Sequence, residues 1–193
     1  MLLGGTVAGR WTTPEEWEAL LVKSRFKAVT APFDCRTEKR EINAYRRICE
    51  KHGVLIAEIG VWKNPFDPNT AIAAEAMDFA KGQLALADEA GIPCCVNIAG
   101  TASAAGWDAA DPDNYTEQAY TRIVDSVREI IDAVRPSRAF YCLEPMPWML
   151  PDSPEAYLEL IRDIDRKAFK AHLDYCNMIN GLDRYRDASG FIQ

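Results

Sequence analysis

Six short apolar runs alternate with amphipathic helical segments along this 193-residue chain, and no hairpin signal joins two neighbouring runs. The predicted strands cover residues 2–7, 28–33, 54–62, 94–100, 139–143 and 170–177. Strands separated by helical crossovers form a parallel sheet with the helices outside it. Two architectures accommodate this pattern: an open doubly wound sheet and most of a (β/α)8 TIM-type barrel, with about six of eight βα units present.

Two of the predicted strands end in a carboxylate. The apolar run 139–143 lies between two prolines and is followed by Glu144, and the extended run from Lys170 ends at Asp174. In α/β folds ligands bind at the carboxyl edge of the sheet, although Glu144 can also brace a loop or cap a helix. Two acids delivered to one edge are a set of oxygen ligands suited to a hard divalent cation.

Two further polar side chains interrupt apolar strands. Glu58 is a lone charge in the third run, and Asn97 lies in the middle of the fourth. A carboxylate buried without a partner costs several kcal/mol, so Glu58 must face a polar interior, a ligand or a structural salt bridge. Because no GxGxxG or P-loop sequence is present, these polar positions favour a barrel with its site at the carboxyl-terminal mouth.

Composition limits the partners. We expect one domain over residues 1–193, and the formal net charge of −7 argues against a chain that grips nucleic acid. No apolar run reaches the length of a membrane span. The six cysteines form no CxxC pair, which is typical of reduced thiols. These features predict a cytoplasmic protein that acts on a small polar molecule.

Four segments resemble a known family. They are IAEIGVWKNPFDPN (56–69), VNIAGT (96–101), CLEPMPWMLPDSPEAY (142–157) and HLDYCNMIN (172–180). They look like the sugar phosphate isomerase/epimerase family, the xylose isomerase-like TIM barrels, over nearly the whole chain. The resemblance implies carbohydrate metabolism and one divalent metal ion (Mn, Mg, Co or Zn), held by Glu, Asp, His and Glu from the ends of four late strands.

The resemblance also implies residue roles. Glu144 matches the first metal ligand, which also takes part in proton transfer at a carbon next to a carbonyl, and Asp174 matches the second ligand. The substrate, a sugar or sugar phosphate, is then expected to contact Glu58, Asn97, Trp148, His172 and Asn177.

The third and fourth ligands of that family lie on strands seven and eight, whereas this sequence predicts six strands. His52 ends an outer helix, and His172 is only two residues from Asp174, so neither histidine fills the gap. Three functions follow: a sugar isomerase or epimerase, a non-catalytic truncated barrel that binds a partner or forms a homo-oligomer, and the endonuclease branch of the same barrel. The last needs many histidines and a basic face, and this chain has neither.

Overall fold

A computed structural model describes residues 2–192 and shows one sheet of six parallel strands. The strands are β1 (Gly4–Gly5), β2 (Ala28–Thr30), β3 (Leu55–Gly60), β4 (Cys94–Asn97), β5 (Phe140–Leu143) and β6 (Phe169–Ala171). Each strand pairs with its neighbour in sequence, in the order β1-β2-β3-β4-β5-β6. A doubly wound sheet reverses its strand order at a switch point. The sequential order therefore confirms the prediction of the barrel type with six βα units.

An α-helix connects each strand to the next one, and further short helices follow β6. They are α1 (Pro14–Ser24), α2 (Lys39–His52), α3 (Thr70–Ala90), α4 (Glu117–Val134), α5 (Pro154–Ile164), α6 (Tyr175–Met178), α7 (Leu182–Arg186) and α8 (Ala188–Ile192). Side-chain caps fix several of their starts; for example, Thr13 Oγ1 accepts from the backbone N–H of Glu16 at 3.3 Å, and Ser153 Oγ accepts from that of Ala156 at 3.1 Å. Such a cap stabilises a helix by about 1 kcal/mol.

The sixth strand is shorter than predicted. Its ladder ends at Ala171, whereas the extended run was expected to continue to Asp174. Asp174 instead caps α6, because its Oδ1 accepts from the backbone N–H groups of Cys176 at 2.9 Å and Asn177 at 3.2 Å. This local hydrogen bonding competes with strand pairing and turns the chain out of the sheet.

The two faces of the sheet have different chemistry. One face packs on the helices and carries the hydrophobic core, including Ile59, Cys95, Tyr141, Leu143 and Phe169, each of them 1% exposed or less. Burying a large apolar side chain contributes about 1.5–3 kcal/mol. Because side chains alternate along a strand, the neighbours of these residues point to the other, inner face.

The sheet curves around that inner face. Glu58 on β3 and His172, directly after β6, are joined by a 2.9 Å contact between Oε2 and Nε2. In a flat sheet three inter-strand spacings would separate these strands by about 14 Å. Their side chains meet only because the sheet bends, as barrel strands do.

Asp88 holds the start of β5 against α3. Its Oδ1 accepts from the backbone N–H groups of Ser137 at 2.8 Å and Ala139 at 3.0 Å, and also from that of Arg138. Burial opposes ionisation of Asp88, but these three backbone donors outweigh it and lower the pKa of the carboxyl group. The ionised form is thus part of what positions β5.

No helix of residues 2–192 has both the length and the apolar character that a membrane crossing requires.

We predict that Asp88→Asn lowers the free energy of unfolding by about 1.5–3 kcal/mol at neutral pH, because hydrogen bonds to a charged acceptor are lost. The folded-state pKa of Asp88 is depressed, so its contribution is present above the unfolded-state pKa and is lost as the pH falls through the folded-state value. Urea denaturation should therefore show that the difference in unfolding free energy between wild type and Asp88→Asn is smaller at about pH 3 than at about pH 7. Asp78→Asn, at an exposed position of the same helix, is the matched control. Equal effects of the two substitutions would contradict the assignment.

Candidate functional site

Glu58 lies at the centre of a polar cluster on the inner face. Its Oε1 accepts a hydrogen bond from Thr30 Oγ1 at 2.9 Å, and its Oε2 lies 2.9 Å from His172 Nε2. Thr30 in turn lies 3.3 Å from Thr6 through the two hydroxyl oxygens. The strand register places Thr30 and Cys94 on either side of Glu58. The side chain therefore has the partners that a half-buried carboxylate requires.

The Glu58–His172 contact is an ion pair whose two pKa shifts agree. The hydrogen bond from His172 lowers the pKa of Glu58 against the opposing effect of burial, and Thr30 acts in the same direction. The same hydrogen bond raises the pKa of His172, again against burial. Each partner therefore favours the charged form of the other.

His172 connects this pair to the end of β5. Its backbone N–H donates to Leu143 O at 3.0 Å, which fixes the residue beside β5. Its Nδ1 is buried, makes no hydrogen bond and lies 3.8 Å from Glu144 Oε2. That distance is too long for a hydrogen bond. His172 thus stands between the carboxylates of Glu58 and Glu144.

Glu144 is held directly after β5. Its backbone N–H donates to Asn97 O at 2.8 Å, and the buried phenol of Tyr157 donates to the preceding carbonyl, Leu143 O, at 2.5 Å. Burial raises the pKa of Glu144, His172 opposes that shift, and the neighbouring Asp174 carboxylate adds to it. A carboxyl group with a raised pKa is suited to general acid–base work near neutral pH.

Glu144 and Asp174 form a carboxylate pair. The Asp174 carboxylate is close enough to add to the raised pKa of Glu144, of which burial is the main cause. Neighbouring carboxylates repel each other unless they share a proton or a cation. Their oxygen donors fit a hard divalent ion such as Mg²⁺, which commonly uses one or two carboxylates and completes its shell with water. The residues present therefore fit the metal that the resemblance implies.

The remaining predicted site residues come from three different elements: Asn97 ends β4, Trp148 lies in the segment between β5 and α5, and Asn177 lies in α6. Asn97 is 1% exposed, and its amide bonds both the N–H and the O of Lys63, at 3.1 and 3.0 Å. Trp148 donates from Nε1 to Asp108 O at 2.6 Å, and Asn177 Nδ2 lies 3.9 Å from Met146 Sδ. Asn97 therefore shapes the loop after β3, and direct substrate contact by these three residues stays a prediction.

Sequence reasoning missed two members of the cluster, Thr30 and Cys94. Both are ordinary strand residues by composition, and Cys94 was expected only to be a buried thiol. The alternation that sends Cys94 and Cys95 to opposite faces was the available signal. It shows which face Cys94 takes, but only the curvature of the sheet brings His172 to the same point.

Comparison with known proteins agrees with this architecture. The sequence profile of the xylose isomerase-like TIM barrel family matches residues 19–191. The search of curated proteins finds no match.

Three solved structures illustrate the shared fold. A 3-keto-D-glucoside 4-epimerase from E. coli superposes with a TM-score of 0.70 at 13% identity, over 98% of this chain and 74% of its own. A D-psicose 3-epimerase crystallised with D-fructose superposes with a TM-score of 0.67 at 16% identity, over 96% of this chain and 68% of its own. A xylose isomerase-like TIM barrel protein from Mycobacterium smegmatis in complex with magnesium superposes with a TM-score of 0.67 at 15% identity, over 92% of this chain and 65% of its own. At these identities the similarity concerns the fold.

We predict that Glu58 and His172 are energetically coupled in metal-free protein. In a double-mutant cycle of Glu58→Gln and His172→Asn, measured by urea denaturation in the presence of EDTA, the coupling energy should be about 1–2 kcal/mol. The control cycle combines Glu58→Gln with His52→Asn. His52 pairs with Glu18 on the outer surface and does not contact Glu58. That cycle should be additive. Additivity in both cycles would show that the inner ion pair contributes nothing.

Proposed function

Because the chain belongs to the xylose isomerase-like TIM barrel family, we propose that it is a divalent-metal-dependent sugar isomerase or epimerase. The reaction moves a proton at a carbon next to the carbonyl of a sugar or sugar phosphate. The similar structures include a D-psicose 3-epimerase and a 3-keto-D-glucoside 4-epimerase, both of which act at sugar carbons. This is support by analogy of fold, and the residues of the site carry the rest.

The observation that carries the proposal is the position of Glu144. Its carboxyl group is half-buried at the carboxyl edge of the sheet, and its pKa is raised by burial. In the proposed reaction Glu144 removes the proton from the sugar carbon and, in an isomerisation, returns it to the neighbouring carbon. Isomerisation can use this one base, and epimerisation requires a second base on the other face of the sugar.

Glu144 and Asp174 are the residues that would hold the metal ion. When bound there, a divalent cation would polarise the carbonyl and acidify the neighbouring C–H. Asp174 is suited to this position because its Oδ1 is fixed by two backbone N–H groups, which leaves Oδ2 able to accept a further partner. His172 lies between Glu144 and Glu58, and a proton on its ring would stabilise the carboxylate form of Glu144.

A cavity of about 390 Å³ at the ends of β1 and β2 is proposed to admit part of the sugar, because its wall includes Thr30, which donates a hydrogen bond to Glu58. Its lining includes Thr6, Trp11 and Thr30, at the carboxyl ends of β1 and β2 and in the loop after β1. Ligand pockets in proteins commonly have volumes of about 300–1,000 Å³. Thr30 links the cavity wall to Glu58, so Glu58 is the proposed contact for a sugar hydroxyl at that side.

We predict that Glu144→Gln abolishes proton exchange at the sugar carbon. Wild-type protein with Mn²⁺ or Mg²⁺ in deuterated water should incorporate deuterium next to the carbonyl of a ketose, which NMR detects directly. Loss of the base should lower that rate by about 10²–10⁴-fold. Glu159→Gln, at an exposed position of α5, should leave the rate unchanged. Absence of exchange in folded wild-type protein across a panel of ketoses and aldoses would instead favour the non-catalytic reading.

We predict that Asp174→Asn weakens Mn²⁺ binding by about tenfold or more without unfolding the protein. Asparagine keeps the helix-capping hydrogen bonds at this position, because it is as good a cap as aspartate, but it removes the charge. Calorimetric titration with Mn²⁺ gives the affinity, and circular dichroism checks the fold. Asp183→Asn, on the exposed first turn of α7, is the control. Unchanged Mn²⁺ affinity in Asp174→Asn would remove this residue from the metal site.

A further inference from the structure

We propose that Glu58, Cys94 and His172 form a binding site for a Zn²⁺ ion, separate from the carboxylate pair of Glu144 and Asp174. One carboxylate oxygen, the Cys94 thiol sulfur and one imidazole nitrogen lie within 4.8 Å of one another. Nothing in the sugar chemistry proposed above requires this second ion. The inference therefore stands on the geometry of these three side chains.

The three ligands come from three strands of one sheet. Glu58 and Cys94 are register partners on adjacent strands β3 and β4, so their side chains leave the sheet side by side. His172 reaches them from the end of β6 and already contacts Glu58 through Nε2. Ligands mounted on strands are held more precisely than ligands on loops.

The donor set selects the metal. A thiolate and an imidazole favour zinc over magnesium, calcium or manganese, which prefer oxygen ligands. The carboxylate pair of Glu144 and Asp174 has the opposite preference. The inner face thus offers two chemically distinct sites. When both kinds of metal ion are present, we expect zinc at the first site and magnesium or manganese at the carboxylate pair.

The geometry needs only small side-chain movements. Tetrahedral zinc with bond lengths of about 2.0–2.3 Å places its ligand atoms about 3.3–3.8 Å apart. Atoms that are at most 4.8 Å apart therefore have to approach by at most about 1.0–1.5 Å. The Glu58–His172 hydrogen bond gives way to two metal bonds, and the Cys94 thiol proton passes to solvent. Three protein ligands leave the fourth position to water, as in catalytic zinc sites.

The unsatisfied nitrogen of His172 is a second, independent observation. Nδ1 is buried and makes no hydrogen bond in the metal-free protein. With zinc on Nε2 the ring proton is on Nδ1, and the Glu144 carboxylate, at 3.8 Å, is in position to accept it after a slight closure. Histidines that bind metals usually donate their other N–H to a carboxylate or carbonyl in this way. His172 Nδ1 thus has no hydrogen bond without the ion and gains one to Glu144 when the ion is bound.

Without a metal ion the surroundings of Cys94 favour the neutral thiol. The neighbouring Cys142 and burial both raise the pKa of the Cys94 thiol. A bound metal ion reverses this preference, because a coordinating thiol loses its proton. The geometry of the three ligands, rather than a preformed thiolate, therefore supports the site.

The experiment uses Co²⁺ as a spectroscopic substitute for zinc in the full chain after removal of metals with EDTA. One equivalent of Co²⁺ should give a thiolate-to-cobalt charge-transfer band in the near ultraviolet and the visible bands of tetrahedral cobalt. Added Zn²⁺ should remove both, whereas added Mg²⁺ should not. Cys94→Ser should abolish the charge-transfer band. Cys35→Ser, which changes a thiol on the outer side between α2 and α3, should leave it intact.

Further variants keep the result decisive. Glu58→Gln keeps the thiol and should weaken Co²⁺ binding by about tenfold or more, which tests the site even if Cys94→Ser lowers stability. Glu144→Gln and Asp174→Asn should keep the charge-transfer band, so failure of the sugar reaction and failure of this site are distinguishable. Octahedral cobalt spectra in the wild type, or a charge-transfer band that survives Cys94→Ser, would overturn the proposal.

Discussion

A charged side chain on the inner face of a parallel sheet must find a partner, and in this protein Glu58 finds it three strands away. Its ion pair with His172 spans β3 to β6 and is compatible only with a curved sheet. The outer face supplies the apolar burial that makes the sheet stable. The polar contact across the inner face is what the curvature makes possible, and the carboxylates that follow β5 and β6 are arranged around it.

The inner face combines two kinds of ligand chemistry. Glu144 and Asp174 supply oxygen donors after β5 and β6, while Glu58, Cys94 and His172 supply a mixed set of oxygen, sulfur and nitrogen donors. His172 belongs to both arrangements, because its two ring nitrogens face Glu58 and Glu144. An ion bound at one set would therefore be felt at the other through a single imidazole ring.

Local signals were sufficient for much of the fold. Proline after a capping hydroxyl predicts the starts of α1 and α5, and a glycine at position 91 predicts the end of α3, because caps depend on residues within one turn. The position of Glu144 after an apolar run likewise followed from its immediate neighbours. The length of β6 did not follow from its immediate neighbours, since the capping hydrogen bonds of Asp174 compete with strand pairing. The role of Cys94 could not be predicted either: its neighbour in space, His172, is set by the cumulative bending of four strands rather than by any local pattern.

The sequential order of the strands has a consequence for biosynthesis. Each strand can add to an edge that is already formed, so the sheet can grow while the chain leaves the ribosome. Glu58 and His172, however, are separated by 114 residues. At translation rates of about 5–20 residues per second, roughly 6–23 s pass between their syntheses. During that interval Thr30 is available to donate a hydrogen bond to Glu58, whereas the ion pair has to wait until the chain beyond β6 has been made.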